Sequence, residues 1–195
     1  MNLVIVSSRR LCITALLFSL ARVPVLTAQE AAFNLDPAKT RVEFTLGDVL
    51  HTVHGSFALK EGAIRFDPVT RKAGGLIVVD TTSGQSGNHS RDKKMHRDIL
   101  ESQAYPEATF VPLTVTGTVP VAGESRVQVQ GLFKLHGVEH EVIVDTAVQV
   151  TGSQWTAKAH FVVPYVQWGM KNPSTFILRV SDKVEVDILA QGTVR

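Results

Sequence analysis

From Thr40 onward the apolar positions of this chain recur with a period of two. In "TRVEFTL", Val42, Phe44 and Leu46 fall on one side and Arg41, Glu43 and Thr45 on the other; "VHGSFAL" repeats the pattern with Val53, Phe57 and Leu59. "RVQVQGLFKL" sets Val127, Val129, Phe133 and Leu135 against polar neighbours, and "HEVIVDTAVQV", "WTAKAHFVV", "TFILRV" and "KVEVDILA" continue the alternation. Successive side chains of a strand point to opposite faces, so these segments are predicted to be antiparallel strands with one wet and one buried face. Turn-forming clusters punctuate them at 60–62 (KEG), 67–75 (DPVTRKAGG), 122–125 (AGES), 136–140 (HGVEH), 151–154 (TGSQ) and 181–183 (SDK). Eight or more such strands in about 165 residues predict a closed barrel or a two-sheet sandwich, and closure would remove exposed edges.

The alternation is interrupted at 87–102, "GNHSRDKKMHRDILES". Here Ser90 can cap a helix and Asp92 suits its first turn. Met95, Ile99 and Leu100 form a narrow apolar face before Pro106 restarts an extended chain. No repeat, low-complexity tract or linker divides the rest, so residues 29–195 are expected to form one domain. The first 28 residues have a different character. Arg9 and Arg10 precede the apolar run "LCITALLFSLA", and Ala28 is a small residue at a plausible cut. A signal peptide over 1–28 is expected, because its apolar core is short for a membrane span. "SRRLCI" matches a twin-arginine signal only faintly, so the general secretory route and a periplasmic or secreted location are expected.

Export changes the charge balance. Arg9, Arg10 and Arg22 leave with residues 1–28 and no acid does, so 20 Lys+Arg against 18 Asp+Glu becomes 17 against 18. A near-neutral chain without a basic stripe gives no reason to expect nucleic acid as a partner. Cys12, the single cysteine, leaves too, so no disulfide supports the fold.

Candidate catalytic side chains concentrate in the interruption, where His89, Asp92, His96 and Asp98 are of the types that bind metals or move protons. Asp92 and His96 are four apart and could pair, but charges on a short helix are usually a solvated face. "HEVIV" at 140–144 begins like a zinc-protease motif, yet Val144 stands where the second histidine belongs. His51 with His54 and His136 with His140 would form a metal site only if their strands adjoined; turn and strand-end histidines are the simpler reading. No nucleophile elbow, phosphate loop or dinucleotide fingerprint is present. "NHS" at 88–90 is a glycosylation sequon only where the host glycosylates. No enzyme activity, cofactor or metal is expected.

What remains is apolar. "HFVVPYVQWGMKNPSTF", 160–176, gathers Phe161, Tyr165, Trp168, Met170 and Phe176 around a Pro and Gly break. Trp168 and Met170 fall in a connection, where bulky side chains either plug a barrel end or line its mouth.

Several of these segments, taken in order, are similar to one known family over residues 33–195. "FNLDPAKTRVEFTL" is similar to its opening strand, "VHGSF" to the second, "NHSRD" with "YPEATF" to a helical connection and its return, "VQGLFKLHGVEHEV" to its central hairpin and "WGMK" to its late loop. The chain resembles the YceI-like family of exported, lipocalin-like polyisoprenoid-binding proteins. That resemblance implies an all-β, eight-stranded antiparallel lipocalin-like barrel with a short helical crossover near 90–102 and a long apolar ligand in the lumen. It also implies that Arg91 and Asp92, matching the family's Arg-Asp pair, fix the loop. "PYVQWG" departs from the pattern, with Tyr165 and Gln167 where many members carry an Arg and an acid, so no head group carries over.

The resulting expectation is a non-enzymatic carrier or store of an isoprenoid or similar long-chain amphiphile. The tail would be desolvated by Val42, Phe44, Phe57, Phe133, Phe161, Tyr165, Trp168, Met170 and Phe176, with Trp168 and Met170 at the mouth. A tail of about forty carbons at about −0.3 kcal/mol per heavy atom would gain about −12 kcal/mol, enough for nanomolar affinity. Transient membrane contact and a homodimer are further expectations. The alternatives are a histidine-metal enzyme of the periplasm and a ligand-free, stress-related interaction module whose barrel is filled by side chains.

Overall fold

The structure, a computed structural model, describes residues 30–47, 52–176 and 179–195. The expected signal peptide and His51 lie outside the described residues. Nine strands follow in chain order: β1 (Ala31–Leu35), β2 (Arg41–Gly47), β3 (Thr52–Phe66), β4 (Ala73–Gln85), β5 (Glu107–Gly117), β6 (Gly123–Leu135), β7 (Val138–Thr151), β8 (Gln154–Val163) and β9 (Val184–Val194). β1 and β2 occupy a single position. Both lie between β3 and β9, β1 against residues 63–66 of β3 and β2 against residues 52–57. A turn at Asp36 separates them, its Oδ1 accepting from the Ala38 N–H at 3.0 Å. Pairing of β3 with β4 closes the sheet, giving an eight-position antiparallel barrel. Alternation cannot choose between barrel and sandwich, because both bury one face; the β3–β4 ladder decides it.

Three predicted features are corrected. "KEG" at 60–62 is no turn, because β3 runs through it and a bulge between Leu59 and Glu61 absorbs the extra residue. Of the predicted strand "TFILRV", Thr175, Phe176 and Arg179 lie outside any ladder. There Asn172 Oδ1 accepts from the Ser174 N–H at 2.8 Å, and Ser174 Oγ accepts from the Val180 N–H at 2.8 Å. Such local bonds offer the backbone an alternative to a sheet. The helix is capped by Asn88, not Ser90. Asn88 Oδ1 accepts from the Arg91 N–H at 3.0 Å, α1 spans His89–Lys94, and a single π-helical turn follows over Met95–Ile99.

Antiparallel order sends alternate connections to opposite ends. The α1 crossover, the β6–β7 turn and the long β8–β9 connection (164–183) lie at one end, which we call the upper. The 67–72 turn, the 118–122 loop and the Gly152-Ser153 turn lie at the lower. His136 and Gly137, with φ of 52° and 81°, form the two-residue turn whose twist matches a tight β6–β7 hairpin. Each end has its own apolar cluster. Phe33, Phe66, Val115, Val127, Val150 and Trp155 are among the lower one; Val142, Val144, Phe161, Val163, Tyr165 and Met170 form the buried part of the upper one.

Candidate functional site: the barrel lumen

The inward residues of the barrel do not fill it. They enclose a cavity of about 610 Å³, walled by side chains such as Val42 and Phe44 from β2, Phe57 from β3, Phe133 from β6 and Phe161 from β8. The floor is Trp155, whose indole N–H donates to the Thr193 carbonyl at 3.1 Å and whose ring meets Phe33 edge-on at 5.5 Å. A buried indole needs such a partner for its one donor.

The ceiling comes from the upper connections. Met95, Ile99 and Leu100 reach in from the crossover, and Tyr165 and Met170 from the β8–β9 connection. Tyr165 donates its hydroxyl to the Ser181 carbonyl at 2.7 Å, and burial, with Asp182 nearby, pushes its pKa up to about 12. It therefore serves as a neutral donor that ties the connection down. At Gly84 a Cβ would lie 2.5 Å from Phe57 and 2.9 Å from Met95, so the glycine is what lets the crossover settle on β3 and β4.

The rim beside α1 is polar. Ser86, Ser90, Arg91 and Lys94 border the cavity there, and exposed Arg91 and Lys94 mark where it meets solvent. Arg91 donates from Nε to Ser86 Oγ at 2.7 Å and from Nη2 to the Ser86 carbonyl at 2.8 Å. Asp92 accepts from the Ser86 N–H at 2.9 Å and from its hydroxyl. The Arg-Asp pair thus clamps one serine and fixes the entry to the crossover.

His96 does not reach Asp92. Its Nε2 donates to the Gly84 carbonyl at 2.8 Å and its Nδ1 meets Ser102 Oγ at 3.0 Å, so the imidazole braces the crossover against β4. Arg97 grips Asp98 through two 2.7 Å bonds and holds its pKa below the usual carboxylate range. Three other described histidines also lie against a neighbour. His54 pairs with Thr45 Oγ1 at 3.1 Å, His136 packs on Tyr105 at 4.3 Å, and His140 lies flat on Trp168 at 3.9 Å, its pKa lowered by burial. Among the described residues no three His, Cys, Asp or Glu side chains form a metal-ligand group.

Of the nine residues expected to line the lumen, Val42, Phe44, Phe57, Phe133, Phe161, Tyr165 and Met170 do so. Two do not. Trp168 is half-buried, stacked on His140 with a 3° interplanar angle and 6.1 Å from Phe133, outside the cavity wall. It wedges the β8–β9 connection onto the β6–β7 hairpin. Phe176 is fully exposed at 103% and lies outside any ladder.

Several lining residues escaped the sequence reading. β4 contributes Ile77 and Val79 and β5 contributes Phe110. In β4 the intervening Val78 is buried as well, which hides the alternation inside a continuous apolar run. In β5, Pro112 argues against a strand, yet a register shift between Pro112 and Thr114 accommodates it. Trp155 could have been found as the inward continuation of Ala157, Ala159 and Phe161.

Comparison with known proteins agrees with this geometry. The YceI-like domain model matches residues 33–191. Burkholderia cenocepacia BcnA superposes with a TM-score of 0.67 at 20% identity, covering 82% of this chain and 99% of its own. A polyisoprenoid binding domain from Saccharophagus degradans, implicated in plant cell wall breakdown, gives 0.63 at 15% identity, covering 84% and 98%. The Campylobacter jejuni YCEI protein gives 0.60 at 16% identity, covering 74% and 86%. At these identities the structures speak for the fold alone, and no curated protein matches the sequence. The family model, spanning most of the chain and coinciding with a closed barrel around an apolar lumen, is sufficient: this protein belongs to the YceI-like family.

Proposed function

We propose that the protein is an exported, non-enzymatic carrier or store that holds the tail of an isoprenoid, or of a similar long-chain amphiphile, in its lumen. One observation carries this reading: a cavity of about 610 Å³ is walled almost throughout by aliphatic and aromatic side chains from all around the barrel. That size falls within the range of about 300–1,000 Å³ usual for ligand sites. An unfilled lumen favours a carrier over a barrel packed with its own side chains. The family is one of binding proteins, and the Saccharophagus degradans relative is described as binding polyisoprenoid. Residues 1–28 supply the export, to the periplasm or beyond. Brief membrane contact during loading fits the exposed Phe176 at the upper end.

Mass spectrometry of an organic extract from freshly purified protein tests the reading directly, beside Ala159→Trp, which places an indole inside the lumen. A long-chain lipid at about one per chain in the unmodified protein, and its loss from a folded Ala159→Trp, is expected. Failure of the unmodified protein to retain or bind any long-chain amphiphile would refute it.

A further inference from the structure

The lumen is blind at its lower end. On β5, β6 and β7 the inward side chains border the cavity only partway down: Phe110 does and Val115 does not, Val129 does and Val127 does not, Thr146 does and Val150 does not. Val115, Val127 and Val150 are buried in the cluster that holds Phe33 and Trp155, so beneath the indole the barrel is filled by its own side chains.

β8 runs the whole depth. Its inward residues Trp155, Ala157, Ala159, Phe161 and Val163 all border the cavity, from the floor to the start of the β8–β9 connection. Eight steps of about 3.3 Å make about 26 Å along the strand, or about 20 Å along the axis of a barrel whose strands tilt by about 40°. Small side chains stand directly above the floor: Ala157 and Ala190, Cα partners across β8 and β9, are both buried and both border the cavity. The indole below them is held by its bond to Thr193 and its edge contact with Phe33, and Gly192, its partner on β9, places no side chain beside it. The lumen therefore stays open down to one fixed ring and stops there.

A tail threaded from the mouth gains affinity with every unit it buries and nothing from a unit that finds no room. We infer that Trp155 is a length gauge: the protein selects amphiphiles by tail length, gaining from added isoprene units until the tail meets the indole and no further. The inference rests on the carrier reading above and adds to it a specificity-determining residue.

The test is a series of prenols of about three to about eleven isoprene units, titrated into the unmodified protein, Trp155→Ala and Ala157→Phe. In the unmodified protein affinity should rise about tenfold per unit and then level off at one length. Trp155→Ala deepens the lumen and should move that length up by about one unit; Ala157→Phe raises the floor by a phenyl ring, similar in size to a unit, and should move it down by about one. A change that only loosened or strained the fold would lower affinity at every length and leave the levelling point in place, so that point is the readout. Should Trp155→Ala fail to fold, Ala157→Phe decides alone. Affinity that climbs through the whole series in the unmodified protein, or a levelling point that either folded variant leaves unmoved, overturns the gauge and leaves the carrier reading standing. If no prenol of any length binds, the carrier reading has failed and the gauge with it.

Discussion

The two ends of the barrel are closed by different means. At the lower end the strands close it themselves: short turns bring Phe33, Phe66, Val115, Val127 and Trp155 into one cluster, and Trp155 forms the floor. At the upper end the cover is made of inserted chain. The crossover and the β8–β9 connection lay Met95, Ile99, Tyr165 and Met170 over the lumen, tied by bonds such as Ser86 to Arg91 and Tyr165 to Ser181. A floor made of strand side chains can open only by breaking the sheet, whereas a cover made of connections can move while the ladders stay intact. In the proposed carrier a ligand would therefore pass through the upper end, and substitutions at the two ends should affect different properties.

The largest expected effect is at the floor. Trp155→Ala removes a buried indole from the lower cluster and should cost about 3–5 kcal/mol of stability in denaturant unfolding. A cost under about 1 kcal/mol would mean that the lower end is no more rigid than the upper.

The upper end separates into lining and wedge. Met170→Ala removes a buried wall residue and should weaken binding of a long-chain ligand by about 1–3 kcal/mol. Trp168→Ala should instead lower stability by about 1–3 kcal/mol, equally with and without ligand, and leave affinity within about threefold, because the indole packs on His140 outside the wall. Calorimetry of both variants with parallel ligand titration tells the roles apart; a large affinity loss in Trp168→Ala would return that residue to the mouth.

The smallest effect is one of pH. Burial lowers the folded-state pKa of His140, so the unfolded chain takes up that proton at a higher pH than the folded one does. The stabilising contribution is then present above the unfolded value of about 6.5 and is lost as pH falls through the folded pKa. Melting temperatures at about pH 7.5 and 5.5 should drop less for His140→Leu than for the unmodified protein. An identical slope would mean that the stacked pair does not resist protonation.

Much of the wall was legible in the alternation. Val42 and Phe44 alternate with polar Arg41, Glu43 and Thr45, and a strand with one wet face has only one way to point them. β4 was not legible, because Val78, on the opposite face from the lumen-lining Ile77 and Val79, is buried as well and erases the contrast. Phe176 and Trp168 mark the opposite limit. Both are large and apolar in a connection, and nothing in their identity says which way an irregular segment turns.

By itself, then, the sequence determined antiparallel strands with one apolar face, since a period-two pattern is a local consequence of strand geometry. Long-range pairing decided the rest. The β3–β4 ladder chose closure over a sandwich. Hydrogen bonds back to the end of β4 set Asp92 and His96 to bracing Ser86 and Gly84 and kept them from one another. The stacking of Trp168 on His140 took an expected mouth residue out of the lumen. Such contacts depend on which segments the closed sheet brings within a few ångströms, and chain spacing does not encode that distance.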